Sequence, residues 1–150
     1  MLSSYNKQKG SKFETDVMKY LRKLGHFAER LAKAGSNDEG DIVTIIAGQT
    51  YILECKNRKS INLPQFWAEA QTEAANYAKA RGLVVEPPAF VIVKRRNAGI
   101  EKAWVIQDLD QWLQDRSKLC QYQKDISPPV KSGRVKKKMC NYQKNQQKPN

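Results

Sequence analysis

The stretch GDIVTIIAGQTYILECKN, residues 40–57, decides the fold. Its two halves are rich in β-branched and aromatic residues and meet at a glycine, which predicts a β-hairpin with its turn around Gly48-Gln49. Three charged residues interrupt the apolar pattern: Asp41, Glu54 and Lys56. Side chains alternate between faces along a strand, so Glu54 and Lys56 share a face with Ile52, while Tyr51, Leu53 and Cys55 point the other way. A turn at 48–49 sets residue 41 opposite 56 and diagonal to 54. All three charged groups then reach one surface at the open end of the hairpin.

Two chemistries suit that grouping. Two carboxylates supply hard oxygen ligands for Mg²⁺, which takes one or two from protein and keeps several waters. A lysine beside them can activate water and stabilise developing negative charge, which fits phosphodiester hydrolysis. The alternative is an ordinary cross-strand ion pair between Asp41 and Lys56, with Glu54 on a solvated edge.

Outward from the hairpin, the chain alternates helical and strand patterns. Residues 1–10 are polar and read as a loose arm. Phe13, Val17, Tyr20, Leu21 and Leu24 then mark one face of a helix, closed by Gly25. Ser11 and Glu14 match a capping box at its start. HFAERLA (26–32) predicts a short strand and KAGSNDEG (33–40) a loop. A second helix over 64–81 carries Phe66, Trp67, Ala70, Ala74, Tyr77 and Ala78. Strands follow at 89–95 and 102–107, then a short helix at 108–116. The predicted order is α, β, β, β, α, β, β, α.

This order and these residues resemble the PD-(D/E)xK nucleases. GD with Asp41 stands for the first half of the motif and ECK with Glu54 and Lys56 for the second. KGSKFETDVMKYLRKLG (9–25), with Glu14, and GHFAERLAKAGS (25–36), with Arg30 and Ser36, resemble archaeal-type Holliday junction resolvases over about residues 7–95. The chain departs from the motif at Gly40, where the motif has proline. The resemblance implies an α/β, restriction endonuclease-like αβββαβ core, a mixed central sheet flanked by helices. It implies that Asp41, Glu54 and the Cys55 backbone carbonyl hold Mg²⁺ or Mn²⁺, with Glu14 as a helix-borne acid beside them. Lys56 would be the catalytic lysine, and Ser36 would sit at the active-site loop. Gln71 on the second helix is a looser candidate neighbour of the site. The implied activity is a metal-dependent, structure-selective DNA endonuclease acting on four-way junctions as a homodimer. Alternatives are a restriction- or repair-type endonuclease of the same superfamily, or a DNA-binding module with an inactive site.

Charge supports a polyanionic partner. The net charge is +12 over 150 residues. Residues 1–116 hold 18 Lys/Arg against 14 Asp/Glu, and residues 117–150 hold 9 against 1. The expectation is a nuclease domain over 1–116 and a basic, disordered tail over 117–150. Lys7, Lys9, Arg30, Lys33, Arg58 and Lys59 are candidate DNA contacts around the site, and the cations of VKRRN (93–97) could extend them. CQYQK (120–124) echoes CNYQK (140–144) within the tail. Three widely spaced cysteines, Cys55, Cys120 and Cys140, form no zinc or disulfide pattern. The single histidine, His26, argues against histidine-based nucleases and zinc sites, which need ligand clusters, and is expected at a structural or surface position. The N-terminus has no apolar segment of a signal peptide, and no run approaches membrane-spanning length. The expected setting is cytoplasmic, associated with DNA and not with a membrane.

Overall fold

A computed structural model of the chain describes residues 2–31 and 37–126. The elements are α1 (Leu2–Lys23), β1 (Phe27–Arg30), β2 (Ile42–Ile46), β3 (Gln49–Lys56), α2 (Leu63–Ala80), β4 (Ala89–Val93), a 3₁₀ turn at Ile100–Lys102, β5 (Trp104–Ile106) and α3 (Leu109–Ile126). The chain divides into two compact units, Met1–Leu113 and Gln114–Asn150. The sheet, α1, α2 and every residue of the candidate site belong to the first.

The five strands lie in the order β1-β2-β3-β4-β5. β3 and β4 run parallel, and the other neighbours are antiparallel. The parallel pair needs a crossover, which α2 provides. This is the mixed α/β sheet with an αβββαβ core that the sequence predicts, extended by β5 and α3.

Alternation along β2, β3 and β4 sorts the core into two layers. Val43, Ile52, Ala89, Val91 and Val93 pack against Phe66, Ala70, Ala74 and Tyr77 of α2. Ile42, Leu53, Cys55, Phe90 and Ile92 pack with Ala28 against Phe13 and Val17 of α1. The sheet is therefore covered on both faces. Burial of each of these larger side chains contributes about 1.5–3 kcal/mol.

Local signals close the helices. Gly25, at φ +86°, ends α1: its N–H bonds the Arg22 carbonyl at 3.0 Å, and that of His26 bonds Leu21 at 3.1 Å. Asn62 caps α2, accepting from the Gln65 N–H, and Pro64 sits in the first turn.

Four expectations are corrected. Residues 2–10 are the first turns of α1, not a loose arm. Ser11 and Glu14 consequently lie in mid-helix, where the backbone N–H groups already have helical partners, so there is no capping box. The hairpin turn is Ala47-Gly48, because Ile46 pairs with Gln49 and Ile42 with Leu53. Both turn residues have positive φ, 51° and 77°, the pattern of a tight two-residue turn that places glycine second. The pairing is thus displaced by two residues from the predicted one, and an even displacement keeps every side chain on its predicted face. Finally, α3 does not stop at 116 but continues to Ile126. The rest of the predicted tail, 127–150, lies outside the described residues, as do Lys33 and Ser36.

Candidate active site

The displaced hairpin brings Asp41 level with Glu54 instead of Lys56. Asp41 donates its N–H to the Leu53 carbonyl at 3.1 Å. Its carboxylate Oδ2 accepts the buried Cys55 N–H at 2.9 Å. One aspartate thereby locks itself onto the backbone of the neighbouring strand, beside Glu54. Gly40 makes the approach possible. It has φ +97°, and a Cβ there would stand 2.6 Å from Ile52 Cγ2. Proline, fixed near −65°, cannot adopt this backbone, which accounts for the departure from the family motif at this position.

Asp41 and Glu54 are 5 % and 8 % exposed. Lys56 reaches back along its own strand: Nζ donates to Glu54 Oε1 at 2.5 Å and to Glu69 Oε2 on α2 at 2.6 Å. It also lies 5.2 Å from the Phe66 ring centre. The predicted Asp41–Lys56 pair is replaced by these contacts. Glu69 is itself oriented by Gln65, whose Nε2 donates to Oε1 at 2.8 Å.

Glu14 arrives from α1 and is buried at 6 % exposure. Arg30, at the end of β1, donates to its carboxylate and also to the hydroxyls of Ser11 and Thr15. Arg30 is therefore engaged in holding Glu14. Burial, followed by the charges of Asp41, Glu54 and Glu14, pushes the Cys55 thiol well up, so it stays protonated. All three acids thus act on the backbone position whose carbonyl was the candidate ligand.

Two further acids belong to this cluster and were not identified from the sequence. Glu69 and Glu73 project from α2 one turn apart. Gln71, the looser candidate on that helix, is exposed, while Glu73 is buried. The signal for Glu73 was present: it falls at i+3 from Ala70 and i+7 from Phe66, inside the apolar stripe, where a carboxylate is out of place.

Burial, then the charges of Asp41 and Glu73, raise the Glu54 carboxyl from 4.5 to about 9. The bond to Lys56 pulls the other way and does not offset burial. Glu73 is raised to about 7, chiefly by burial. Lys56 loses some of its charge preference to burial but gains more from Glu54 and Glu69, and its pKa ends above 10.5. Glu54 and Glu69 thus share one ammonium, while Asp41 and Glu73 crowd Glu54.

Such a donor set suits a hard divalent cation. It offers only oxygen ligands, and Glu73 Oε2 is buried with no hydrogen-bond partner. Among the described residues no three His, Cys, Asp or Glu side chains converge as a ready metal cage. The fit is therefore to a magnesium-like ion that retains water, held by one or two carboxylates.

Beyond Lys56 the surface turns basic. A cleft of about 270 Å³ is lined by Lys9, Asn57, Arg58, Lys59, Lys94, Arg95, Arg96 and Asn97. Asn57 Nδ2 bonds the Lys9 carbonyl at 3.2 Å, and the Lys94 N–H bonds the Lys56 carbonyl at 3.0 Å. The cleft therefore begins where β3 ends. Lys9, Arg58 and Lys59 come together there as candidates, while Lys7 lies exposed on α1. A larger cavity of about 480 Å³, floored by Phe13, Tyr20 and Ile100, shares Lys94 and Arg95 but touches none of Asp41, Glu54 or Lys56. Among the described residues no helix is long and apolar enough to cross a membrane.

Comparison with known proteins adds a family. Residues 5–82 match the family described as archaeal Holliday junction resolvase (Hjc). The crystal structure of Archaeoglobus fulgidus Hjc, a Holliday junction resolvase from an archaeal hyperthermophile, is similar at 25% identity. That similarity covers 66% of this chain and 88% of that one, with a TM-score of 0.43. No curated protein matches.

Proposed function

The chain belongs to the archaeal Holliday junction resolvase family, and from that premise we propose that it is a divalent-metal-dependent endonuclease that cuts branched DNA, with four-way junctions as its preferred substrate. The observation that carries this reading is the joining of β2 to β3 through Asp41 and the Cys55 N–H, with Glu54 and Lys56 beside them.

Asp41, Glu54 and the Cys55 carbonyl would hold Mg²⁺ or Mn²⁺. When bound, the cation supplies Lewis-acid chemistry, polarising a phosphoryl oxygen and lowering the pKa of water. The chain's own groups do the rest. Lys56 stabilises negative charge developing on the phosphate, and Glu54 and Glu69 hold its ammonium protonated. Glu14, oriented by Arg30, adds a carboxylate from the opposite layer. The basic cleft after Lys56 receives backbone phosphates, which position the substrate without reading its sequence. The strongly basic segment 117–150 adds further phosphate contacts. A four-way junction has two-fold symmetry, and a C₂ homodimer supplies two sites in matching relation.

The test is a nicking assay with Mg²⁺, Mn²⁺ or chelator on four-way, forked, flapped and linear DNA of equal length. Cleavage that needs the metal and favours the four-way substrate supports the proposal. Equal cutting of linear duplex returns the chain to a general endonuclease of the superfamily. Binding without cutting under every condition makes it a DNA-binding module.

A further inference from the structure

The cavity of about 480 Å³ beside α1 has no role in the proposed chemistry. Its size falls within the range of small-molecule and cofactor sites, about 300–1,000 Å³. One wall is a face of α1, where Phe13, Asp16, Tyr20 and Lys23 recur at i, i+3, i+7 and i+10. The other is the segment after β4, with Lys94, Arg95, Ala98, Gly99 and Ile100. The floor is apolar and the rim cationic. Phe13 is 1 % exposed, whereas Lys19, Lys23, Lys94 and Arg95 are exposed lining residues. Four cations therefore meet one acid, Asp16. Around the candidate active site cations are neutralised by acids: Arg30 by Glu14, and Lys56 by Glu54 and Glu69. Lys94 and Arg95 instead lie over rings, at 5.7 Å from the centre of Phe13 and 5.6 Å from that of Trp104, contacts that leave their charge in place. The same two residues line the basic cleft at the end of β3, so the two hollows share a wall.

We infer that this cavity binds an unpaired nucleotide of the DNA strand whose phosphates lie in the basic cleft. The inference rests on the proposed DNA-cutting function and supplies a means of preferring a branch to a linear duplex. The lining matches the chemistry of a nucleotide. A nucleobase is flat and stacks on aromatic rings whatever its identity. Tyr20 is half-buried and supplies such a ring, with Phe13 and Ile100 in the same lining. Lys19, Lys23, Lys94 and Arg95 meet the phosphates. Asp16 only accepts hydrogen bonds when ionised, which suits the N–H donors on a base edge. A paired base must leave its stack and its partner before it enters, and that cost is least where pairing is already lost. Phosphate contacts position a duplex and a branch alike. The cavity adds a contact that is available only where a strand departs from the duplex.

The test is DNA binding by the full chain in chelator, where nothing is cut. Fluorescence anisotropy compares three duplexes of equal length: one fully paired, one with a two-nucleotide bulge, and one with the same bulge made abasic. The abasic bulge keeps the phosphates and removes only the bases. Wild type should bind the bulged duplex at least about fivefold more tightly than the abasic one, the lower end of what one stacked base contributes. Tyr20→Leu, which keeps an apolar side chain, should abolish that ratio, and Tyr20→Phe should keep it. Ala98→Phe, on the opposite wall and outside both core clusters, should fill the cavity and abolish the ratio as well. A 2-aminopurine in the bulge should lose fluorescence on binding wild type and keep it with Tyr20→Leu. Equal affinity of wild type for the bulged and abasic duplexes overturns the inference and leaves the nuclease reading standing. A wild-type ratio in folded Tyr20→Leu or folded Ala98→Phe also overturns it, because the base is then held elsewhere. If wild type binds none of the three duplexes, the DNA-cutting reading fails and the inference with it. Melting curves show whether each variant is folded. If Tyr20→Leu does not fold, Ala98→Phe decides alone.

Discussion

At the scale of single residues, the site is defined by too much negative charge in too little water. The Glu54 carboxyl binds its proton with a pKa of about 9, against an ordinary 4.5. A carboxyl whose folded pKa lies above its unfolded value contributes stability that is complete below the unfolded pKa and is lost as pH rises through the folded one. Cation-free protein should therefore lose stability between about pH 5 and 9, and Mg²⁺ should restore more of it at the upper end, because the metal needs the ionised form. Thermal melts across that range, with and without Mg²⁺, measure this; a stability that climbs steadily to pH 9 without metal contradicts it. Lys56, whose pKa lies above 10.5, stays charged throughout the window. Its removal should act on rate: Lys56→Ala is expected to lower cleavage by about 10²–10³-fold, the range for losing one group that stabilises developing negative charge. Mn²⁺ titration of the same variant should show the metal still binding.

At the scale of elements, the hairpin and its entry decide whether the site assembles. Gly40→Ala forces a side chain into a positive-φ position and against Ile52. It should cost at least about 1–3 kcal/mol and displace Asp41 from the Cys55 N–H, lowering both melting temperature and activity. Ala47 is the opposite case. It sits at φ 51° in the turn, away from the site. Ala47→Asn should recover part of the roughly 1–2 kcal/mol that a Cβ costs there and leave cleavage unchanged, which denaturant unfolding and the nicking assay would show. The same hairpin explains what could be read in advance. Face assignment follows from period-two alternation, so Asp41, Glu54 and Lys56 were legible as neighbours. Register depends on which two residues make the turn, and Gly48 is compatible with either the first or the second turn position. Glu69 and Glu73 escaped because they come from α2, and no local rule states which turn of a helix lies over which strand. The capping-box pattern at Ser11 and Glu14 misled for a related reason: a helix can begin earlier than its first cap-like residues, when polar turns precede the buried ones.

At the scale of the whole molecule, acidic and basic regions adjoin along one strand. The carboxylates cluster at Asp41 and Glu54, and cations begin immediately after Lys56 and continue through Lys94, Arg95 and Arg96. A DNA backbone lying in the basic cleft would bring a phosphodiester to the edge of the acidic cluster, where only a bound cation makes its approach favourable. Replacing Lys94, Arg95 and Arg96 together by alanine should weaken binding to duplex and four-way DNA alike. It should also flatten the salt dependence by about 0.9 in log–log slope for each phosphate that the protein no longer neutralises. A salt series on both substrates tests this, and an unchanged slope would remove the cleft from the binding surface. The proposal turns on the Asp41–Glu54–Lys56 cluster, which would cut DNA with the help of a divalent metal. Single-turnover cleavage of a four-way junction, comparing wild type with Asp41→Asn at saturating protein and Mg²⁺, tests it most directly. Wild type is expected to cut in a metal-dependent way and Asp41→Asn not at all, with junction binding retained because only a negative charge has been removed. Cutting by Asp41→Asn at the wild-type rate would contradict it.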